Sequence, residues 1–188
     1  MVNPSRLTGA LLTHLNRAMV RPDSLLELPA LLIERARDSD VPAILALQRL
    51  AFVTEAEIYG DSSIPPLTQS EESLRAEFRE AVVLKAVRAG SLAGSVRGRR
   101  AGATCHVARL AVHPGHRRRG IGAALMKALE AAFSEVVRFE LFTGERSEGN
   151  LRLYRGLGYS EFKRERLSDS VALVFMEKTV APGLSVPG

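Results

Sequence analysis

The chain has 188 residues, 46% of them hydrophobic and 25% charged, which fits one domain of ordinary size with a terminal extension. Fifteen glycines and nine prolines exclude a collagen-like or low-complexity chain, one cysteine excludes a disulfide framework, and no apolar run of about 18 residues offers a membrane span. Twenty-six basic against 21 acidic side chains leave a net charge of +5, which suits a phosphate-bearing ligand but falls short of a nucleic-acid surface.

Leu7, Leu11, Leu12, Leu15 and Met19 recur at helical spacing, while His14, Asn16 and Arg17 interrupt the run too early for a secretory signal. Residues 1–30 are therefore expected to be an extension with an amphipathic helix. Its apolar stripe would pack on the domain or on a second copy, so a homodimer is one expected assembly. Leu31–Arg35 predicts a first strand. Asp38, Ser39 and Asp40 offer caps, and Pro42 suits the first turn of a helix with Ile44, Leu47, Leu50 and Ala51 on one side. Charge, Gly60 and the pair Pro65-Pro66 make residues 55–66 an irregular segment or a broken helix. Thr68 or Ser70 caps a further helix to Glu80, with Leu74 and Phe78 inward.

Strands are expected at 81–88, 91–97 and 104–112, the first two joined through Ala89-Gly90 as an antiparallel hairpin. Ile121, Leu125, Leu129 and Phe133 repeat every four residues, so 120–133 is a helix. A strand at 136–142, a helix at 148–157 and strands at 159–163 and 171–177 follow. Residues 181–188, rich in Gly, Pro and Ser, are expected to be a flexible tail. The order is that of an α/β (α+β) sheet, too irregular for a pure βαβ winding.

The sharpest local signal is Leu110-Ala111-Val112-His113-Pro114-Gly115-His116-Arg117-Arg118-Arg119-Gly120-Ile121-Gly122. A strand runs through a basic turn into a helix with small first residues. Free N–H groups at a helix start cradle a diphosphate, glycines let its oxygens approach the backbone, and arginines add charge and donors. A P-loop would need Lys and then Ser or Thr where Ala123 and Ala124 stand, and the three glycines of the dinucleotide fingerprint are absent. A solvated basic turn is the plainer reading of the same residues.

The run 117–122 follows Leu-Ala-Val-His-Pro, and Asn150-Leu151-Arg152-Leu153-Tyr154-Arg155-Gly156-Leu157-Gly158-Tyr159 stands downstream. In this order and setting the two segments resemble the GCN5-related N-acetyltransferase superfamily. The resemblance implies an acyl-CoA N-acyltransferase domain at 31–180 with a mixed, mostly antiparallel, V-splayed central sheet flanked by helices. It implies direct transfer of an acetyl group from acetyl-CoA, as cosubstrate, to a small-molecule or peptide amine. Backbone groups of Leu110, Ala111 and Val112 would then bind the pantetheine arm and polarise the thioester. Arg117, Arg118, Arg119, Gly120, Ile121 and Gly122 would hold the diphosphate, Asn150 would touch the arm, and Tyr154 would protonate the departing sulfur. Tyr154 also fits a plain core position. The competing class is a catalytically silent acyl-CoA-binding or protein-interaction module.

An ammonium has no lone pair, so the acceptor must lose a proton before it attacks. Glu55, Glu57, Tyr59 and Asp61 border the expected acceptor cleft, His106 and Arg109 lie on the central strand with His113 beyond it, and Glu140 and Thr143 stand near the next strand's end. Glu55 and Glu57 are the candidate bases. Residues 55–80 hold seven acids and two arginines, whereas 97–119 hold seven arginines and no acid. Opposite mouths of one cleft would match CoA phosphates on one side and a cationic amine on the other, two solvated faces being the plainer account. Cys105, in an apolar-flanked strand, reads as a small buried hydrophobe, and His14, His106, His113 and His116 lack zinc spacing, so no metal is expected. With no Trp and three Tyr there is no stacking platform for nucleic acid. Neither a membrane nor a specific nucleic acid is an expected partner, and the expected location is cytoplasmic.

Overall fold

The computed structural model describes residues 30–168 and 170–181. The helix expected near residues 7–19 and the tail expected beyond Ala181 lie outside them. Strands β1 (Leu31–Arg35), β2 (Val82–Arg88), β3 (Ser91–Ala101), β4 (Thr104–Val112), β5 (Arg138–Gly144), β6 (Ser160–Arg166) and β7 (Ala172–Thr179) form one sheet in the order β1-β2-β3-β4-β5-β7-β6. Helices are α1 (Val41–Tyr59), the single turn α2 (Pro65–Thr68), α3 (Glu71–Glu80), α4 (Ile121–Ala131) and α5 (Glu148–Gly156). The Ser70 hydroxyl caps α3 by accepting from the Ser73 N–H at 3.1 Å.

All neighbouring strands run antiparallel except β4 and β5, which are parallel and pair only over Thr104–Arg138, Cys105–Phe139 and His106–Glu140. Beyond His106 and Glu140 the two strands separate, so β4 loses its partner on one edge for residues 107–112. This is the V-splay that the resemblance implied. The β3–β4 ladder carries a bulge: Ser95 pairs with Ala111 and Arg97 with Ala108, leaving Arg109 and Leu110 opposite Val96. Arg109 accommodates it with φ +55°, a left-handed conformation that costs a non-glycine residue about 1–2 kcal/mol.

One face of the sheet is covered by α4 and α5, where Leu125, Met126, Leu129, Leu151 and Tyr154 pack on Val96, Cys105, Phe139, Val174 and Met176. The other face is covered by α1 and α3, through Val41, Ile44, Leu45 and Leu74 on Val83 and Leu92. Each fully buried leucine or isoleucine contributes about 1.5–3 kcal/mol of apolar burial. A buried polar network ties the α1–α3 layer to β3. The Arg97 guanidinium, 3% exposed, donates to Glu77 and Gln48, and Gln48 Nε2 donates to the Pro66 carbonyl at 2.8 Å and Gln69 Oε1 at 3.0 Å. Truncating any member leaves a buried donor or acceptor unmatched.

Two elements depart from the sequence reading. The expected break at residues 55–66 begins only at Gly60, which ends α1 in a left-handed conformation (φ +65°). Glu55, Ile58 and Tyr59 therefore stay on the helix and extend its inward face. Strand β3 runs on through Arg99 and Arg100 to a turn at Gly102, its basic side chains paired at the surface with Glu80 and Glu135. The charges read as a turn, yet the exposed end of an interior strand accommodates them.

Candidate active site

Helix α1 turns Ala51, Phe52, Glu55, Ile58 and Tyr59 toward the gap between β4 and β5, positions three or four apart on one face. Two cavities open there. The first, of about 720 Å3, lies between α1, the end of β4 and the N-termini of α4 and α5. The second, of about 650 Å3, lies between the α1–α2 connection, the separated parts of β4 and β5, and Leu167, Ser168, Val171 and Leu173. Phe52, Glu55, Leu110 and Asn150 wall both.

The basic turn shapes the first cavity. His113 Nδ1 accepts from the Gly115 N–H at 3.1 Å, Arg118 adopts φ +59°, and Gly120 enters α4 at φ +78°. Only glycine takes that last conformation without strain. The helical ladder starts with the Ala124 N–H on the Gly120 carbonyl, so the amides of Ile121, Gly122 and Ala123 have no intrahelical acceptor. Gly122 does not itself line the cavity, but a Cβ on it would stand 3.3 Å from Leu153 and 3.7 Å from Val112, both of which do. Free amides, a left-handed turn and a roomy cavity fit the diphosphate and arm of acetyl-CoA.

Leu110, Val112, Arg117, Arg118 and Gly120 line this cavity, whereas the side chains of Ala111 and Ile121 are buried in the core and Arg119 is exposed outside it. The Arg117 guanidinium points back at α1, donating to the Ala51 carbonyl at 2.8 Å and Thr54 Oγ1 at 3.0 Å. It clamps the turn to the helix that carries Glu55.

At the junction the Glu55 carboxylate accepts from the Ser147 hydroxyl and, at 3.0 Å, from Asn150 Nδ2, which also lies 3.3 Å from Thr143 Oγ1. Asn150 thus holds Glu55 in place. Tyr154, one helical turn after Asn150, lines the second cavity at 7% exposure and packs against Tyr159. Burial pushes its phenol well above the ordinary range, and the Glu55 charge adds to the shift. It therefore keeps its proton at neutral pH.

The structure does not bring Glu57 to either cavity: two residues from Glu55 on a continuous helix, it faces solvent on the other side of α1. Tyr59, Asp61, Arg109 and Thr143 line the second cavity, while His106 and Glu140 meet at 4.0 Å where β4 and β5 still pair, outside both. Cys105 is fully buried on β4, its thiol pushed up to about 12 by burial, so a reactive thiolate is disfavoured. Ser147 escaped the sequence reading. It stands where a helix cap is expected, but its hydroxyl serves Glu55 instead of α5. Among the described residues no group of three His, Cys, Asp or Glu is placed to hold a metal, and no helix is long and apolar enough to cross a membrane.

Comparison with known proteins bears on the family and the fold. A family model described as an acetyltransferase (GNAT) domain matches residues 58–180. The PaiA N-acetyltransferase of Thermoplasma acidophilum, solved in complex with coenzyme A, superposes with a TM-score of 0.68 at 17% identity, covering 80% of this chain and 99% of that one. The ribosomal-protein-S18-alanine N-acetyltransferase of Escherichia coli gives 0.68 at 17% identity over 85% and 99%. YncA, a putative acetyltransferase of Salmonella typhimurium solved with acetyl-CoA, gives 0.64 at 18% over 82% and 99%. A curated relative, the UPF0157 protein YqkA of Bacillus subtilis (strain 168), is 26% identical over 130 residues, which are 69% of this chain and 37% of the relative, so the chain spans little more than a third of it. The family model spans more than half of the chain, and on that ground the chain belongs to the GNAT acetyltransferase family.

Proposed function

We propose that residues 31–180 form an N-acetyltransferase domain that moves the acetyl group of acetyl-CoA directly to an amine, with the cosubstrate in the first cavity and the amine in the second. The observation that carries this reading is the meeting of the two cavities at Glu55 and Asn150, between strands that have just separated. The open edge of β4 at Leu110, Ala111 and Val112 offers main-chain groups to the amides of the pantetheine arm, as a sheet edge does to an added strand. Arg118, Gly120 and the free amides of Ile121, Gly122 and Ala123 suit the diphosphate.

The thioester supplies an activated acyl carbon and a sulfur leaving group. Glu55, fixed by Ser147 and Asn150, takes the proton that the ammonium must lose. Tyr154, protonated at neutral pH, gives a proton to the departing sulfur. Main-chain donors of β4 face the carbonyl oxygen as it gains charge. Cys105 takes no part.

The test is calorimetric titration of CoA, followed by a screen of amines against acetyl-CoA with mass detection of the acetylated product. CoA binding with product from at least one amine class supports the transferase. CoA binding without product across peptide, amino-acid and polyamine amines favours the silent acyl-CoA-binding module, and absence of CoA binding rejects both.

A further inference from the structure

The second cavity holds a cation that no carboxylate among the described residues pairs with directly. Arg109 lines it from the β4 bulge, next to Leu110, which walls both cavities. Its Nε is buried with no hydrogen-bond partner among the described residues. The carboxylate it senses most, Glu77, is already engaged by Arg97 and by Gln69 Nε2, and Arg97 is itself a second cation beside Arg109. The acids lining the same cavity are committed as well: Glu55 to Ser147 and Asn150, Asp61 to the Ser63 N–H and hydroxyl at 2.7 and 2.6 Å. A bulge re-aims a side chain, and a non-glycine residue at φ +55° is held there against its preference. Much of the remaining wall is apolar, including Phe52, Ile64, Pro65, Leu141 and Leu173.

A half-buried guanidinium whose Nε has no partner, and whose terminal nitrogens make no hydrogen bond among the described residues, favours an anion, and its planar fork matches a carboxylate in a two-bond pair. We infer that the amine accepted here carries a carboxylate on an apolar body, the chemistry of an amino acid, and that Arg109 selects it by pairing with that carboxylate. The amine end then lies toward Glu55, where the cavities meet. This inference rests on the transferase reading for turnover, but binding tests it separately.

The experiment sets each of the twenty amino acids against its carboxamide and its decarboxylated amine. Two readouts run on wild type, Arg109→Gln and Arg109→Lys: calorimetric binding of the free compounds to the CoA-saturated protein, and, without added CoA, acetylation kinetics with acetyl-CoA. At least one amino acid should be favoured over its amide by about 10- to 100-fold in wild type, the worth of a charged hydrogen-bond pair. Arg109→Gln should erase that preference, Arg109→Lys should restore part of it, and CoA affinity should stay at the wild-type value in both. Equal or better binding of amides and plain amines by wild type overturns the inference, as does a preference that survives in Arg109→Gln. Failure of the transferase reading looks different: no amine is acetylated, while carboxylate-dependent binding still decides the role of Arg109.

Discussion

Replacing Tyr154 by Phe removes one hydroxyl and keeps the ring. The ring is 7% exposed and rests on Tyr159 at 6.1 Å between centroids, so packing in the main core is conserved. Its hydroxyl makes no hydrogen bond among the described residues, so folding should lose less than about 1 kcal/mol. A general acid is worth about 100- to 10,000-fold in rate, or about 3–5 kcal/mol of barrier. Tyr154→Phe should therefore lower kcat by at least about 100-fold, with KM for acetyl-CoA within about threefold of wild type. Urea unfolding and initial-rate kinetics, once an acceptor is in hand, separate the two effects. The pKa shift of this phenol also has a sign. An acid raised above its ordinary value stays protonated across neutral pH, so wild-type kcat should not fall between about pH 6 and 9 through loss of this proton. A Tyr154→Phe enzyme with near wild-type kcat would refute the acid role, and a matching loss of stability would show a packing role instead.

Gly122→Glu should weaken CoA binding at least about 10-fold by calorimetry, since the new side chain starts 3.3 Å from Leu153 and brings negative charge toward the free amides, while Gly122→Ala should cost far less. Glu55→Gln should lower kcat/KM for the amine about 10-fold or more at unchanged CoA affinity, and Glu57→Gln, exposed on the far side of α1, should match wild type. A Cβ on Gly144 would land on the Tyr59 ring and hydroxyl, which accepts from the Arg146 N–H at 2.8 Å, so Gly144→Ala should displace Tyr59 and raise KM for the amine but not for acetyl-CoA. Cys105→Ala should remain active. Because the folded state holds the Cys105 proton up to about 12 while the unfolded chain releases it near 9.0, wild-type stability should fall relative to Cys105→Ala as pH rises through that window, read by denaturant unfolding.

Periodicity and punctuation placed the strands and helices of the described chain, because apolar spacing and Gly or Pro turns act locally. The glycine-basic turn could be read from residue order, whereas Asn150 and Tyr154 stood out only through the family resemblance. What failed was long-range in origin. Acidic residues after Ala51 looked like the end of a helix, yet tertiary packing of the inward face carries α1 to Tyr59 and brings Glu55 to the cavity while sending Glu57 to solvent. The Ser147–Glu55–Asn150 cluster joins residues 92 and 95 positions apart, which no local pattern encodes. Arg109 read as one polar group among several, since its unpartnered Nε is visible only once Glu77 is seen to pair with Arg97 and Gln69.

The central claim is direct acetyl transfer at the junction of the two cavities. A single turnover with isotope-labelled acetyl-CoA, enzyme in excess and a productive amine present, tests it by following the label in both product and intact protein. The account predicts labelled amine at a rate at least that of steady-state turnover, no label on the protein, and both persisting in Cys105→Ala. Label arriving first on the protein, at a rate competent to feed the product, would contradict it.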